Sequence, residues 1–568
     1  MNKSLFTECE GLQEKILKNE LTQKLLEEVK RAAEVFEKKP IEALDFTTFN
    51  VFYETGNRVL YETKYFERRA RLNVFSLMLF LYGDEKYKKH LEDSIWAICD
   101  EYTWALPAHF PISYTPEEAM SHIDLFSAET GFALCESLRI VGEKINPAVV
   151  VRAKTEIKRR IVNAYPNNSF KWDAEKNNWA AVCAGSVAGV YMYMEKREEF
   201  EKILPRILST IDCYLDSLAG DGTCFEGYEY FKYGFGYFTY FSELLRQYTN
   251  GEINLFEKDA KIEKTAQFPQ KVSLGYGKIV NFADSVCDCW HLPGLTSFLS
   301  AKYDSVNMLP SENFISFGED TEYRFAHFIR DFVWSAYYKD KTHGQNNENK
   351  CCYFNESEMY VKTSSKYEFA AISGKNNVPH NHNDVGAFIL RCQGEGIVED
   401  LGKGLYCADY FNEKRYDFLA TSSRGHSVPI IGGVYQKSGD EFCGKVLSAD
   451  DTHFCFNMQD AYDCDNLISL TRRFDFSENE VTLSDKFLFE DAQDNLTERI
   501  TTLIEPKVED DEITVGEKKF IYDKTKWELK VSSEDYTTIY GDRKAYLIDF
   551  VLKELAKEAE FYITFIMQ

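Results

Sequence analysis

The chain has 568 residues, of which 44% are hydrophobic and 28% charged, and its formal net charge is −26. This length exceeds one ordinary hydrophobic core, so two or three domains are expected. The acidic balance argues against nucleic acid or an anionic membrane as a partner, because either would require a concentrated basic face. No apolar run approaches the roughly 18 residues that a membrane span requires.

The first twenty residues, MNKSLFTECEGLQEKILKNE, contain neither an apolar core nor a small-residue cleavage site, so they do not predict a secretory signal. The 15 cysteines are scattered without CxxC pairs, which favours free thiols in a reducing compartment. We therefore expect a cytoplasmic protein. A chain that has already lost its signal peptide is the alternative.

Residues 1–340 show apolar positions at helical spacing, in one segment after another. Two such stripes are Leu72, Phe75, Leu79 and Tyr82 before Gly83, and Ile207, Ile211, Leu215 and Leu218 before Gly220. Helices of this kind bury their stripes against each other, as bundles and toroids do. The pattern predicts a helical domain over 1–340.

Two segments of this helical part contain candidate functional residues. KNNWAAVCAGSVAG opens with Asn177, Asn178 and Trp179, where an asparagine is either a helix N-cap or an amide directed at a substrate carboxylate. DGTCFEGYEYFKYGFGYF, at 221–238, has many tyrosines at helical spacing, which more often indicates a core. So many hydroxyls are nevertheless hard to bury without partners, which favours a wet cleft.

After the polar stretch KDKTHGQNNENK at 339–350, the predicted linker, the pattern changes to alternation. AFILRC and GIVED, joined around Gly394 and Gly396, predict a hairpin. One face of a later run is apolar except at Asp485, and it carries Val481, Leu483, Phe487 and Phe489. Residues 341–568 are therefore expected to form an antiparallel β-sandwich.

The segment VPHNHNDVGAF contains two of the ten histidines. In an extended strand, His380, His382 and Asp384 would project from the same face. A His-x-His pair suits a metal ion or proton transfer, although solvated polar strand ends also look like this. Asp400 in GIVEDLG and His426 in SSRGHSVPIIGG are candidates to complete a metal site.

Together these segments resemble the heparinase II/III-like polysaccharide lyases and their alginate-lyase and dermatan-epimerase relatives. The resemblance runs in order from IDLFSAETGFAL at 123–134, through NNW, DGTCFEGYEYFKYG, HNHND and VEDLGKGLY, to RGHSVPIIGGVYQ at 424–436. It covers nearly the whole chain. It implies an N-terminal (α/α) toroid followed by a C-terminal antiparallel β-sandwich.

The resemblance also implies residue roles. Asn178 matches the residue that neutralises a uronate carboxylate, and His380 matches the catalytic histidine. Tyr233 matches the catalytic acid or base, and Tyr230 is the neighbour most easily confused with it. The ligands of one divalent metal, zinc in a structural role, would be His382, Asp400 and His426. Substrate contacts are expected from Asn177, Trp179, Glu226, Tyr230 and Arg424.

The implied activity is β-elimination on an acidic, uronate-containing oligosaccharide or polysaccharide, with glycosaminoglycans favoured. Trp179 stands where some alginate-type relatives carry a second histidine, which makes alginate a less expected substrate. A tyrosine with a pKa near 10 needs a neighbouring cation to act as a base, and the candidates are Lys232, Arg415 and Arg424.

Three alternatives stay open at this point. A C5-epimerase would reprotonate the same carbanion instead of expelling the leaving group. A glycoside hydrolase would use two carboxylates, for which Glu226 and Asp124 are nominated. A saccharide-binding protein without activity would need none of this chemistry. The oligomeric state is not predicted.

Overall fold

The computed structural model describes residues 11–288, 290–345, 350–509, 512–538 and 540–567. The first ten residues and 346–349 of the expected linker lie outside these ranges. The chain divides into two compact units: Met1–Leu218, Tyr230–Ala266 and Trp290–Asn346 make the first, and Ala219–Glu229, Gln267–Cys289 and Asn347–Gln568 make the second. Two segments that precede residue 340 therefore group with the second unit.

Most of the described α-helices belong to the first unit. In chain order the helices are α1 (Leu12–Leu17), α2 (Gln23–Phe36), α3 (Phe46–Thr55), α4 (Val59–Tyr82), α5 (Glu85–Cys99), α6 (Pro116–Ser121), α7 (Leu125–Val141), α8 (Pro147–Ile157), α9 (Asn178–Met194), α10 (Arg197–Asp216), α11 (Tyr228–Tyr230), α12 (Gly236–Tyr248), α13 (Lys261–Ala266), α14 (Phe268–Val272), α15 (Pro293–Lys302) and α16 (Phe325–Tyr338). Helix α9 packs against α7, α10 and α12. Small residues make this close approach possible, and nearly all of α9 is buried.

The expected helical stripes lie on α4 and α10. Leu72, Phe75 and Leu79 are buried on α4, whereas Tyr82 is 39% exposed at its end. Leu218 is buried but lies beyond the last residue of α10. Of the described helices, none joins the length to the apolar character that spanning a bilayer takes.

The second unit consists mainly of antiparallel sheets, which confirms the expected C-terminal architecture. The described strands of the chain are β1 (Ser273–Gly275), β2 (Lys278–Ile279), β3 (Asn307–Met308), β4 (His343–Gln345), β5 (Lys350–Phe354), β6 (Met359–Thr363), β7 (Glu368–Ile372), β8 (Phe388–Cys392), β9 (Glu395–Val398), β10 (Ile430–Ile431), β11 (Lys445–Ala449), β12 (His453–Asn457), β13 (Leu467–Phe476), β14 (Glu480–Gln493), β15 (Leu496–Thr502), β16 (Lys507–Glu509), β17 (Glu512–Val515), β18 (Lys518–Tyr522), β19 (Trp527–Thr538), β20 (Gly541–Leu552) and β21 (Ala556–Ile566).

Besides the two-stranded sheet β1-β2, three larger sheets build the described part of this unit around a shared apolar core. Their strand orders are β5-β6-β7-β8-β9, β11-β12-β13-β14-β21-β18-β17-β16 and β10-β15-β20-β19. The predicted hairpin is β8 with β9, and Gly394 takes the left-handed φ of 83° that its turn requires. Strands β3 and β4, by contrast, belong to the first unit.

The polar exception on β14 is explained by a buried ion cluster. Asp485 accepts from the Arg472 Nε at 3.0 Å, and Glu498 lies 3.2 Å from the same guanidinium. Arg472 also donates to the carbonyls of Gly386 and Ser427, at 2.7 and 2.8 Å. Because these carbonyls lie next to the segments that carry His382 and His426, the cluster fixes both segments to the sheet.

Candidate active site

In the helical unit, the two adjacent asparagines have different roles. The Asn177 side chain accepts from the Trp179 backbone N–H at 3.0 Å, so Asn177 is the N-cap of α9. Asn178 begins the helix and is 2% exposed. A β-carbon at Gly234 would come within 3.1 Å of the Asn178 β-carbon and 2.9 Å of the Tyr214 ring, so a larger residue would force these neighbours to shift. Gly234, the residue after Tyr233, therefore packs directly against Asn178.

Tyr233 lies in a π-helical turn, Phe231–Phe235, between α11 and α12. Such turns are rare and often occur at functional sites. The Arg324 guanidinium lies over the Tyr233 ring at 4.1 Å from its centroid. Arg324 in turn pairs with Asp320 and with Glu322, the latter at 3.1 Å.

Three buried polar atoms face one another in this region: Tyr233 Oη, Glu129 Oε1 and Arg324 Nε. Arg324 Nε and Glu129 Oε1 are an ion pair at 3.8 Å, and none of the three atoms makes a hydrogen bond of good geometry within the described residues. Buried polar atoms usually have partners, so a group of unsatisfied ones points to a place for water or a ligand. Burial raises the pKa of the Tyr233 hydroxyl well above 10, and the nearby Glu129 adds to this. Burial also raises the pKa of Glu129, to about 8. Both groups therefore keep their protons at neutral pH.

In the second unit, a single buried carboxylate organises the candidate residues. Asp284 is fully buried, and its oxygens lie 2.8 to 3.1 Å from five donors. The donors are His380 Nδ1, His382 Nε2, Tyr406 Oη, Tyr410 Oη and an Arg415 terminal nitrogen. Burial alone would raise the Asp284 pKa, but the hydrogen bonds and charges of the two histidines hold it well below its usual range.

His380 does not lie on a strand, so the expectation of one extended face for the HNHND segment is wrong. The segment is irregular, with a turn at His380, whose φ is 60°. Strain of this kind persists only where the surroundings hold the residue. Here Asp284 accepts from His380 Nδ1 at 2.9 Å, and Arg415 donates to the Asn381 carbonyl at 3.0 Å. The Nδ1 proton is therefore engaged by Asp284. Nε2 is the basic nitrogen of the ring, and it lies 3.9 Å from Glu226 Oε2.

The predicted metal ligands are buried within the second unit. His382, Asp384 and His426 bring one potential ligand atom each within 4.8 Å of one another. Asp400 Oδ2 lies 3.0 Å from His426 Nδ1. Asp384 is thus an addition to the three ligands expected from the sequence.

The hydrogen bonds of these residues suit a metal ion. The Nε2 atoms of His382 and His426 face the Asp284 carboxylate and the Ala420 carbonyl, at 3.0 and 2.9 Å, so each Nε2 carries the proton. Each Nδ1 would then present its lone pair to a metal. His382 Nδ1 hydrogen-bonds to no residue in the described ranges. His426 Nδ1 faces Asp400 Oδ2 at 3.0 Å, where a metal would lie between a nitrogen and a carboxylate ligand. Metal-binding histidines commonly have this arrangement. In the absence of a metal, Asp400 raises the pKa of His426 to about 9 against the effect of burial, which makes the two an ion pair.

The remaining predicted residues are distributed between the two units. Trp179 is half-buried beside Asn178, and Tyr230 is half-buried one turn before Tyr233. Arg424 pairs with Glu534 at 3.2 Å, and both side chains are partly exposed. Of the three candidate cations, Lys232 donates to the Trp290 carbonyl and Arg415 binds Asp284.

Sequence reasoning did not find Asp284, Glu129 or Arg324. Asp284 lies in NFADSVC, an irregular segment with no ligand-like spacing. Glu129 lies within helix α7 and Arg324 directly precedes α16, and a charged residue in such a helical pattern usually indicates a solvated face. Only Glu129 belonged to a quoted motif, IDLFSAETGFAL, which gave it no role.

No protein-family model matches the chain, and no curated protein sequence matches it. Solved structures do match it over nearly its full length. Heparan sulfate lyase HepC from Pedobacter heparinus is 12% identical, with a TM-score of 0.54 over 98% of this chain and 92% of that one. A heparinase III with methylated lysines is 12% identical, with a TM-score of 0.61 over 97% and 85%. The Streptomyces coelicolor chondroitin AC lyase in complex with chondroitin sulphate is 9% identical, with a TM-score of 0.55 over 98% and 82%. The chain therefore has the fold of heparinase-like polysaccharide lyases.

Proposed function

We propose that the protein is a polysaccharide or oligosaccharide lyase that cleaves uronate-containing acidic saccharides by β-elimination. The observation that carries this is the buried, protonated Tyr233 hydroxyl, which lies beside Glu129 with the Arg324 guanidinium over its ring, while the next residue, Gly234, packs on Asn178. The shared fold supports it, since structures with this fold include lyases that act on heparan sulfate and chondroitin. Glycosaminoglycan-type substrates are favoured.

In the proposed step, the C5–H bond of the uronate breaks and the proton passes to a base. The electron pair forms the C4=C5 double bond, and the C4–O bond breaks towards the departing sugar. We assign the base to His380 Nε2, because Asp284 keeps the proton on Nδ1. Tyr233, whose raised pKa means that it carries its proton at neutral pH, donates that proton to the leaving oxygen. Asn178 stabilises the charge that develops on the uronate carboxylate.

Screening acidic polysaccharides and short oligosaccharides for the ultraviolet absorbance of an unsaturated uronate tests this function. Heparan sulfate, chondroitin sulfate, hyaluronan and alginate form a suitable panel. New absorbance on at least one of them supports the lyase. If absorbance stays constant while the C5 configuration inverts, the protein is an epimerase. Saturated reducing ends would instead identify a hydrolase.

We further propose that His382, Asp400 and His426, together with Asp384, hold one divalent ion, zinc, in a structural role. Nitrogen and carboxylate ligands in this number suit zinc. When bound, the ion would tie the segment of His382 to that of His426. It thereby also fixes Asp284, which His382 contacts through its other ring nitrogen.

Elemental analysis of the purified protein tests the metal site. The wild type and His380→Ala should each contain about one equivalent, whereas His426→Ala should lose it and unfold at a lower temperature. Wild-type protein free of metal after gentle purification would refute the site. Equal metal loss in His380→Ala would show that His380, rather than His382, is the metal ligand of the HNHND segment.

A further inference from the structure

A cavity of about 480 Å³ lies within the second unit. Its walls come mainly from residues 223–228, helix α14, the segment after β2, the turn between β5 and β6, and the loop between β7 and β8. Protein interiors contain few voids larger than a water molecule, and a cavity of roughly 150 Å³ already accommodates benzene. The space is therefore large enough for a ligand.

Most of the wall is apolar. Four aromatic residues line it, together with a thioether and a β-branched side chain: Phe225, Tyr228, Phe268, Phe282, Met359 and Val378. Phe225 and Val378 are half-buried, so solvent reaches this side of the cavity, whereas the other four are buried. Aromatic rings and a thioether both make favourable contacts with a further aromatic ring. The wall thus favours an apolar, ring-shaped occupant.

The polar side chains of the wall are largely committed to other parts of the protein. Thr223 and Ser357 bond to each other through their hydroxyls, 3.1 Å apart. Glu358 Oε2 accepts from the Ser373 hydroxyl at 2.7 Å, and the Asn381 amide nitrogen donates to two neighbours at 3.2 Å. A sugar ring brings several hydroxyls that lose their water on binding and need new partners. This wall suits a group without hydroxyls better than a sugar ring.

The charges of the wall argue against an anion. Lys375 is the only cation among the described residues that line the cavity, and its ammonium pairs with Asp440 at 3.1 Å. The carboxylic residues of the wall are Glu356, Glu358 and Asp384. A uronate or a sulfate would lose its water here without gaining a counter-charge. The occupant is therefore uncharged.

The cavity adjoins the proposed base. Phe225 and Gly227, the two chain neighbours of Glu226, line it, and so does Asn381, which follows His380. Glu226 Oε2 lies 3.9 Å from His380 Nε2. A group bound in the cavity would therefore lie beside the residues that carry this pair.

We propose that the cavity binds an uncharged aromatic substituent carried by the saccharide on which His380 acts. The proposal rests on the proposed function, and it adds saccharides with an aryl ether or aryl ester group to the substrate class. Burial of the aryl group against the apolar wall supplies the affinity, and the uronate itself stays outside the cavity. The volume suits about two fused rings, given that a far smaller cavity holds one.

Calorimetric binding to four probes tests the cavity: methylumbelliferyl glucuronide, methyl glucuronide, free methylumbelliferone, and an aryl glucuronide whose ring carries a carboxylate. The wild type should bind the first on the order of tenfold more tightly than the second, because only the first buries an aryl group. The free aryl compound and the carboxylated probe should both bind more weakly than methylumbelliferyl glucuronide.

Two variants of the wall locate the effect. Val378→Trp fills the cavity and should remove most of the preference for the aryl glucuronide, and Phe225→Ala removes one aromatic face and should reduce it. Leu447→Trp is the matched control, since Leu447 is 53% exposed on β11 of the same unit and does not line the cavity. It should bind all four probes like the wild type. If Val378→Trp does not fold, Phe225→Ala decides.

Equal wild-type affinity for the aryl and methyl glucuronides overturns the proposal, and so does an aryl preference that survives both wall variants. Free methylumbelliferone that binds as tightly as its glucuronide would assign the cavity to a free aromatic molecule and overturn the substituent. Undiminished binding of the carboxylated probe would refute an uncharged occupant.

The outcome is separable from the lyase proposal, because calorimetry needs no turnover. Unsaturated products from the polysaccharide panel, without any aryl preference, would sustain the lyase and refute the substituent. An aryl preference that depends on Val378 and Phe225, without any unsaturated product, would sustain the cavity as an aryl site and refute the lyase.

Discussion

The two units hold their candidate reactive groups in opposite states of hydrogen bonding. In the helical unit, the buried Glu129 Oε1 and Arg324 Nε lie 3.8 Å apart, too far for a hydrogen bond, and the Tyr233 hydroxyl beside them makes no hydrogen bond of good geometry. In the second unit, five donors converge on Asp284. Unsatisfied groups cost stability and await a ligand, whereas a saturated carboxylate fixes its neighbours in one geometry. Under the proposed function, this difference separates groups that would meet the substrate from groups that orient others.

The largest effect is expected from Tyr233→Phe. Turnover should fall about 10³-fold or more, since a positioned acid or base contributes factors of this size. Stability should stay unchanged or rise, because the lost hydroxyl has no hydrogen bond. Steady-state kinetics and urea unfolding measure both quantities, and binding should stay close to normal.

Tyr240→Phe is the matched control, since the Tyr240 hydroxyl is bonded to His327 Nδ1 at 2.8 Å. It should cost about 1 kcal/mol of unfolding free energy and little turnover. If Tyr233→Phe keeps most of its kcat, Tyr230 is the next residue to test.

Asn178→Ala should cost on the order of two to four kcal/mol in kcat/KM, as loss of an oxyanion donor does. Asn177→Ala is the contrast within the same helix start, because Asn177 is the N-cap and should lose about 1 kcal/mol of stability. Comparing kcat/KM with the melting temperature for both variants separates the two roles. An unchanged kcat/KM in Asn178→Ala, with a lowered melting temperature, would leave Asn178 a purely structural residue.

Asp284→Asn tests whether the saturated carboxylate orients His380. We expect kcat to fall roughly 10- to 100-fold, as loss of such a supporting partner does. Unfolding free energy should also fall by about 3–5 kcal/mol, because Arg415 loses its buried counter-charge. Tyr410→Phe removes one of the five donors and should have a much smaller effect on both. Wild-type kcat in Asp284→Asn would show that His380 needs no orientation from this carboxylate.

The smallest effect concerns pH. Glu129 holds its proton up to about pH 8 when folded, whereas the unperturbed group releases it near 4.5. The folded chain therefore binds more protons than the unfolded chain between these pH values. The contribution of Glu129 to the free energy of unfolding is complete below pH 4.5 and is lost as the pH rises to about 8. Glu129→Gln should flatten this decline in denaturant titrations across the window. Parallel curves for the two proteins would contradict a buried, protonated Glu129.

The sequence predicted the parts of the fold and site that depend on local pattern. The stripes on α4 and the alternation on β14 are periodic, so both elements could be placed. His382 and His426 were found through their motifs, and the structure brings them together. Asp284 could not be found, because 96 residues separate it from its partner His380. The strand expected at His380 failed because a left-handed φ reverses the chain there, which no alternation of residue types encodes.

The division of the chain into interleaved stretches has a consequence for expression and folding. The polypeptide passes from one unit to the other five times, so the second unit is incomplete until its last stretch, after residue 346, is synthesised. A fragment beginning at residue 341 would omit Asp284 and Glu226, and His380, His382 and Arg415 would all lose their shared carboxylate. Contacts between residues this far apart in sequence slow folding, because chain entropy must be lost before they form. The protein should therefore resist being cut into two independently useful modules, even though each unit is compact.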